Sequence, residues 1–140
     1  MPTRSASATW KGGLEGQGEF RGQTGLGGQY NFRSRFEEGP GSNPEELLAA
    51  AEAACFSMAL AFALAKERHD PKIVETTADC TVEKQGQGYK ITRIAVRTRV
   101  AVAGVEDAKF QAIARATLEG CPVSTALKGN VQLDLDAALV

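Results

Sequence analysis

The longest apolar run in the chain covers residues 47–65, where Glu52 and Ser57 are the only clear polar interruptions. A helix is predicted to begin just before this run. Asn43 can cap it, Pro44 suits the first helical position, and the two acidic residues that follow favour the positive end of the helix dipole. We expect the helix to continue to about Arg68 and, being apolar on all sides, to be buried in the core.

Alternating apolar and polar residues predict two strands after this helix, at residues 74–84 and 89–102, joined by a glycine-containing turn at residues 86–88. In the second strand, one face carries Ile94, Val96, Val100 and Val102, and the other carries Arg93, Arg97 and Arg99. The arginine face could be a nucleic-acid patch, but a solvated sheet face is the preferred interpretation.

The N-terminal 41 residues hold ten of the 15 glycines. Short strand-like pieces at residues 8–10, 19–21 and 30–36 lie between them, which predicts an antiparallel meander. A phosphate-binding loop is disfavoured because no lysine–serine pair or strand-loop-helix frame follows.

A second helix is predicted at residues 106–118 with Gly120 as its C-terminal cap, followed by a helical turn from Cys121-Pro122 to Leu127 and a last strand at residues 130–136. Strands, helix, strands, helix and strand, joined by hairpins, predict an α+β fold with an antiparallel sheet. At 140 residues, the chain (residues 1–140) is expected to be a single domain.

The charge balance argues against nucleic acid as a partner, since 16 basic and 17 acidic residues give a net charge of −1. Three widely spaced cysteines and the lack of a visible secretory signal predict a cytoplasmic protein with reduced thiols. The apolar run is long enough to span a membrane. Its many alanines and the internal Glu52 favour a core helix instead.

Cysteine chemistry is the best candidate activity, because a thiolate attacks peroxides and its sulfenic acid product condenses with a second thiol. Composition alone leaves Cys55 as either a reactive or a buried core residue. Cys121 precedes Pro122 at a predicted helix N-terminus, where the dipole favours a thiolate. Cys80 lies in the middle of a strand and is expected to be structural.

A reactive thiolate also needs a cation. Arg35 is the nearest upstream candidate, with Arg33 as the alternative, and Glu45 could hold the arginine fork. Glu45 and Cys55 are about 15 Å apart along one helix, so a dimer that brings the partner's Glu45 beside Cys55 is the simplest arrangement. A carboxylate disfavours a neighbouring thiolate, so Glu52 is not an obvious helper by itself.

Four ordered motifs closely resemble the OsmC branch of the OsmC/Ohr family: residues 32–36 (FRSRF), 43–47 (NPEEL), 53–60 (AACFSMAL) and 120–124 (GCPVS). Residues 76–79 (TTAD) match as well, and the likeness runs nearly end to end. The resemblance implies a homodimer with swapped antiparallel sheets wrapped around central helices. It also implies a thiol peroxidase that acts on organic hydroperoxides, and less well on hydrogen peroxide.

Carried over by motif, Cys55 is the peroxidatic cysteine, Cys121 is the resolving cysteine, and Arg35 and Glu45 are the charged pair that holds the thiolate. The resemblance further implies reduction by a dithiol such as a lipoylated protein, and no metal, haem or flavin cofactor.

Two other functions stay open. A cysteine hydrolase would need a histidine base, and the single histidine, His69, lies about 21 Å beyond Cys55 along the predicted helix axis. A non-catalytic binding or stress protein could keep the same fold.

Overall fold

The computed structural model describes residues 1–140, which fold into two compact units, Met1–Glu46 and Leu47–Val140. The elements in chain order are β1 (Ala6–Lys11), β2 (Gln17–Gly22), β3 (Gly27–Tyr30), α1 (Phe32–Phe36), α2 (Pro44–Lys66), β4 (Ile73–Gln85), β5 (Gly88–Ala101), α3 (Asp107–Gly120), α4 (Pro122–Leu127) and β6 (Gln132–Leu139). The α+β prediction is confirmed, whereas the single domain stays a prediction.

The first unit contains the predicted antiparallel meander, in the order β1-β2-β3. Glycine is required where aromatic rings cross the sheet. A Cβ at Gly18 would lie 2.5 Å from the Tyr30 ring and 2.7 Å from the Trp10 ring. The two rings are 5.5 Å apart between centroids, so the glycine gives them a surface to pack on.

The predicted strand at residues 30–36 is wrong beyond Tyr30, because residues 32–36 form the short helix α1. A capping box starts this helix. The Asn31 side chain accepts a hydrogen bond from the Ser34 backbone N–H, and the Ser34 side chain accepts one from the Asn31 N–H, both at 2.9 Å. Arg35 therefore lies on a helical turn rather than on a strand.

The predicted start of α2 is confirmed. Asn43 Oδ1 accepts a hydrogen bond from the Glu46 N–H at 2.8 Å, and Pro44 is the first helical residue. The helix ends at Lys66, two residues before the predicted position. Arg68 then adopts a left-handed conformation with φ 64°, and the His69 N–H bonds back to the Leu64 carbonyl at 2.9 Å.

The sheet of the second unit is mixed and not wholly antiparallel. Its order is β4-β5-β6, with β4 and β5 antiparallel and β5 and β6 parallel. The prediction assumed hairpin links throughout. Two helices, α3 and α4, separate β5 from β6, and a crossover of that length returns the chain to the end of the sheet where β5 began.

The core of the second unit lies between α2, β5 and α3. Its fully buried residues are Phe56, Leu60 and Leu64 from α2, Ile94, Val96 and Val100 from β5, and Phe110 and Ala114 from α3. The predicted apolar face of β5 is thereby confirmed. On the opposite face, Arg93 pairs with Asp134 and Arg99 with Asp136, as expected for a solvated sheet face.

The expectation that α2 is buried on all sides is wrong for this chain. One face packs in the core, but a second face stays exposed. We call its members Ala51, Ala54, Met58, Phe62 and Ala65 the α2 stripe. By length and composition α2 could cross a membrane, which is weak evidence because core helices of soluble proteins meet the same criterion. The α2 stripe is an exposed apolar surface of the kind that binds another protein surface.

Candidate functional site: a buried cysteine-serine-carboxylate cluster

Two helices of the second unit position the candidate thiol chemistry. Glu52 and Cys55 lie three residues apart on α2, so their side chains share one face of that helix. Cys121 is the N-cap of α4, and Pro122 is at the first helical position. The Cys121 Sγ accepts a hydrogen bond from the Ser124 backbone N–H at 3.5 Å, so the predicted helix N-terminus is confirmed.

Ser124 connects Cys121 to Glu52. The Ser124 hydroxyl donates to Glu52 Oε1 at 2.5 Å, and Ser124 Oγ lies 3.0 Å from Cys121 Sγ. Cys121 Sγ is itself 3.7 Å from Glu52 Oε1. Glu52 is 0 % exposed and Cys121 is 2 % exposed, and Glu52 Oε2 has no hydrogen-bond partner. The three side chains therefore form a buried polar cluster in the second unit.

Burial raises the pKa of the Cys121 thiol above its ordinary value. The hydrogen bonds between Cys121 and Ser124 lower this pKa, while the nearby Cys55 side chain and the negative charge of Glu52 raise it. The expectation that the helix N-terminus favours a Cys121 thiolate is therefore wrong, because desolvation outweighs the capping N–H.

Cys55 lies close enough to Cys121 for its side chain to raise the pKa of the Cys121 thiol. Cys55 is half-buried, and neither residue is in a disulfide. Cys80 packs partly buried against the apolar core from β4, which agrees with a structural role. No group of three or more His, Cys, Asp or Glu side chains is placed to hold a metal ion.

In the first unit, Arg35 and Glu45 form a bidentate ion pair. Arg35 Nε lies 3.1 Å and Nη2 2.9 Å from Glu45 Oε1, and Nε lies 3.3 Å from Oε2. Glu45 is buried, and the guanidinium carbon stands 5.0 Å from the centroid of the Phe36 ring. The fork geometry fixes the guanidinium plane, as an anion-holding arginine requires.

The sequence interpretation missed Glu52 and Ser124 as members of the cluster. A lone acid within an apolar helix was a usable signal, because a fully buried carboxylate requires hydrogen-bond partners from elsewhere in the fold. Ser124 had no comparable signal, since its partner lies 72 residues away.

Residues 37–136 match the family model described as OsmC-like protein. The chain is 41 % identical to peroxiredoxin OsmC of Escherichia coli (strain K12), over 94 % of both chains. It is 35 % identical to the organic hydroperoxide resistance protein OhrA of Bacillus subtilis (strain 168), over 69 % of this chain and 67 % of that one.

Solved structures agree with these relatives. The organic hydroperoxide resistance protein OsmC from Legionella pneumophila aligns with a TM-score of 0.72 at 26 % identity, over 96 % of each chain. OhrB of Bacillus subtilis aligns with a TM-score of 0.71 at 28 % identity, over 96 % of this chain and 98 % of that one. The α+β architecture is therefore shared, and the chain belongs to the OsmC/Ohr family.

Proposed function

We propose that this chain is a thiol-dependent peroxidase that reduces organic hydroperoxides, and hydrogen peroxide less well. The observation that carries the proposal is that Cys55, on α2, lies close enough to Cys121, the N-cap of α4, to raise the pKa of its thiol. Two thiols from distant parts of the sequence are thus neighbours in the fold, which supports condensation of a sulfenic acid on one with the thiol of the other. Family membership supports the same chemistry, since relatives are named peroxiredoxin and organic hydroperoxide resistance protein.

The proposed cycle has three steps. The Cys55 thiolate attacks the terminal peroxide oxygen, so an S–O bond forms and the O–O bond breaks, and the leaving alkoxide takes a proton from water and departs as the alcohol. The Cys121 sulfur then attacks the Cys55 sulfenic acid, which forms a disulfide and releases water. An external dithiol returns both cysteines to thiols and is itself oxidised. A lipoylated protein is the expected reductant.

The Arg35–Glu45 pair is proposed to hold the Cys55 thiolate. Glu45 fixes the guanidinium through two parallel hydrogen bonds, and its carboxylate compensates the charge when no thiolate is present. Because Glu45 and Cys55 are about 15 Å apart along α2, we propose a composite site in which the partner's Glu45 comes near Cys55.

A homodimer follows from the same proposal. The α2 stripe is apolar and uninterrupted by charge over about four turns, and its alanines allow a second helix to approach closely. A second copy of α2 is the proposed cover for this surface. We further propose that the dimer is a cytoplasmic protein without a membrane or nucleic-acid partner.

The competing functions have less support. His69 lies beyond the end of α2, so it is not placed as a base for Cys55 along that helix. A non-catalytic binding protein of the same fold would keep both thiols unchanged in the presence of a hydroperoxide.

Mass spectrometry after one equivalent of cumene hydroperoxide separates these cases. We expect a Cys55–Cys121 disulfide in the wild type, no peroxide consumption in Cys55→Ser, and unchanged disulfide formation in the control variant Cys80→Ser. Unmodified wild-type thiols, or turnover that persists in Cys55→Ser, would contradict the peroxidase. Steady-state assays with lipoamide, thioredoxin and glutathione systems would then identify the reductant class.

A further inference from the structure

Glu52 is a buried acid for which the proposed cycle has so far no use. Its side chain is fully buried, Oε2 lacks any hydrogen-bond partner, and Oε1 accepts from Ser124. A buried carboxylate with an unpaired oxygen is costly, because that oxygen loses its hydration and gains no hydrogen bond in return. Such a group is more expected in a site that uses it than in a purely structural core.

The cluster contains a continuous hydrogen-bonded route from the Cys121 thiol to this carboxylate. Ser124 has one hydroxyl proton, which it donates to Glu52 Oε1, so its oxygen is left to accept from the Cys121 S–H at 3.0 Å. Resting on the proposed peroxidase cycle, we infer that Glu52 is the general base of the resolving step and takes the Cys121 proton through Ser124.

The proposed step balances in protons and electrons. The Cys121 S–H proton moves to Ser124 Oγ as the Ser124 proton moves to Glu52. The Cys121 thiolate attacks the Cys55 sulfur, the S–S bond forms, and the S–O bond of the sulfenic acid breaks. The leaving hydroxide takes the proton from Glu52 and departs as water, which restores the carboxylate. No additional oxidant or reductant is needed.

A base is required because Cys121 is held as a thiol. Burial raises its pKa, so at neutral pH only a small fraction is ionised without help. The titratable groups that interact with Cys121 are Cys55 and Glu52, both on α2, and Lys66 and Glu67 line the adjoining groove. Of these, only Glu52 is linked to the sulfur by the Ser124 hydroxyl.

The test is single-turnover kinetics of Glu52→Gln, with alcohol release and disulfide formation followed separately. We expect the ratio of the resolution rate to the alcohol-release rate to fall ~10²-fold, the lower end of the usual range for loss of a general base. The Cys55 sulfenic acid should accumulate and be trapped by dimedone. Ser124→Ala should show the same defect, and Glu46→Gln, which removes an exposed acid from the same helix, serves as the control.

The sign of the effect distinguishes a base from a passive charge. The negative charge of Glu52 raises the pKa of Cys121, so a glutamate that acts only as a charge would slow resolution, and Glu52→Gln would then speed it up. If Glu52 is the general base, Glu52→Gln should instead slow resolution. This role also predicts that the defect shrinks as the pH rises toward the pKa of Cys121, where solvent hydroxide replaces Glu52.

Wild-type resolution rates in both Glu52→Gln and Ser124→Ala would overturn the inference and leave the peroxidase standing. Failure of the wild type to form a Cys55–Cys121 disulfide would overturn the peroxidase itself. If Glu52→Gln does not fold, as judged by circular dichroism, the resolution rate of Ser124→Ala tests the inference by itself. That variant keeps the Glu52 carboxylate and removes only the hydroxyl that links it to Cys121.

Discussion

Replacing Phe62 with aspartate is expected to convert the protein from a dimer to a monomer. Phe62 is 65 % exposed and Met58 is 59 % exposed, and alanines of the α2 stripe complete the same helix face. The other face of α2 packs in the core through Phe56, Leu60 and Leu64, so the helix cannot rotate to bury these side chains. A second copy of the stripe is the proposed cover.

The expected loss of dimer affinity follows from the exposed area of Phe62. Fully burying a phenylalanine side chain contributes up to ~3 kcal/mol, so covering the exposed two-thirds contributes about 2 kcal/mol. In a two-fold symmetric interface each residue appears twice, which gives roughly 4 kcal/mol, or about 10³-fold in Kd. Aspartate adds the cost of burying two charges, so this figure is a lower limit.

Sedimentation velocity across a series of protein concentrations measures the effect, with circular dichroism as a check on folding. Leu14→Asp is the matched control, because Leu14 is 72 % exposed in the turn between β1 and β2, outside the stripe. A folded Phe62→Asp variant that dimerises as tightly as the wild type would refute the reasoning. So would a wild type that is monomeric in buffer and binds lipid vesicles.

Three further predictions concern the charged pair and Cys121. Arg35→Lys should lower the rate constant with cumene hydroperoxide ~10²-fold in stopped flow, because lysine cannot keep the fork on Glu45; a wild-type rate would exclude that role. Hybrid dimers of Cys55→Ser and Arg35→Ala subunits, purified through two tags, should regain one working site if the site is composite, and none if it is not. The raised pKa of Cys121 contributes stability that is lost as the pH rises above about 8.5, the unfolded value, by up to ~1.4 kcal/mol per pH unit. Urea unfolding at pH 7 and pH 10 should therefore show a smaller loss in Cys121→Ala than in the wild type, and equal losses would contradict it.

The start of α2 and the buried face of β5 could be predicted from the sequence, because each depends on residues that are close together in the chain. Asn43 and Pro44 placed the start of α2 because capping involves only neighbouring residues. The alternation along β5 predicted its buried face, since the strand period of two is fixed by backbone geometry.

Features that depend on tertiary pairing were not predictable in this way. The parallel pairing of β6 with β5 depends on where α3 and α4 return the chain, which no residue of β6 encodes. The short helix α1 was mistaken for strand because its aromatic residues fit a strand pattern, and the capping box of Asn31 and Ser34 outweighed that preference.

The motifs located the two cysteines of the candidate site, but their environments could only come from the fold. Cys121 was expected to favour a thiolate from its place at a helix N-terminus, a local argument. Burial against α2 reverses that expectation, because desolvation of a charge outweighs one long N–H···S hydrogen bond.

The opposite environments of the two thiols give the proposed cycle its order. Cys55 is half-buried and so the more accessible of the two, whereas Cys121 is buried and held protonated by its surroundings. In the proposed cycle a hydroperoxide therefore reacts with the Cys55 sulfur first, while burial shields Cys121 from direct oxidation. That protection would also make Cys121 a poor nucleophile for the second step. The proposed transfer of the Cys121 proton through Ser124 to Glu52 resolves this conflict, because the same hydrogen bonds that hold the Cys121 thiol also give its proton a place to go.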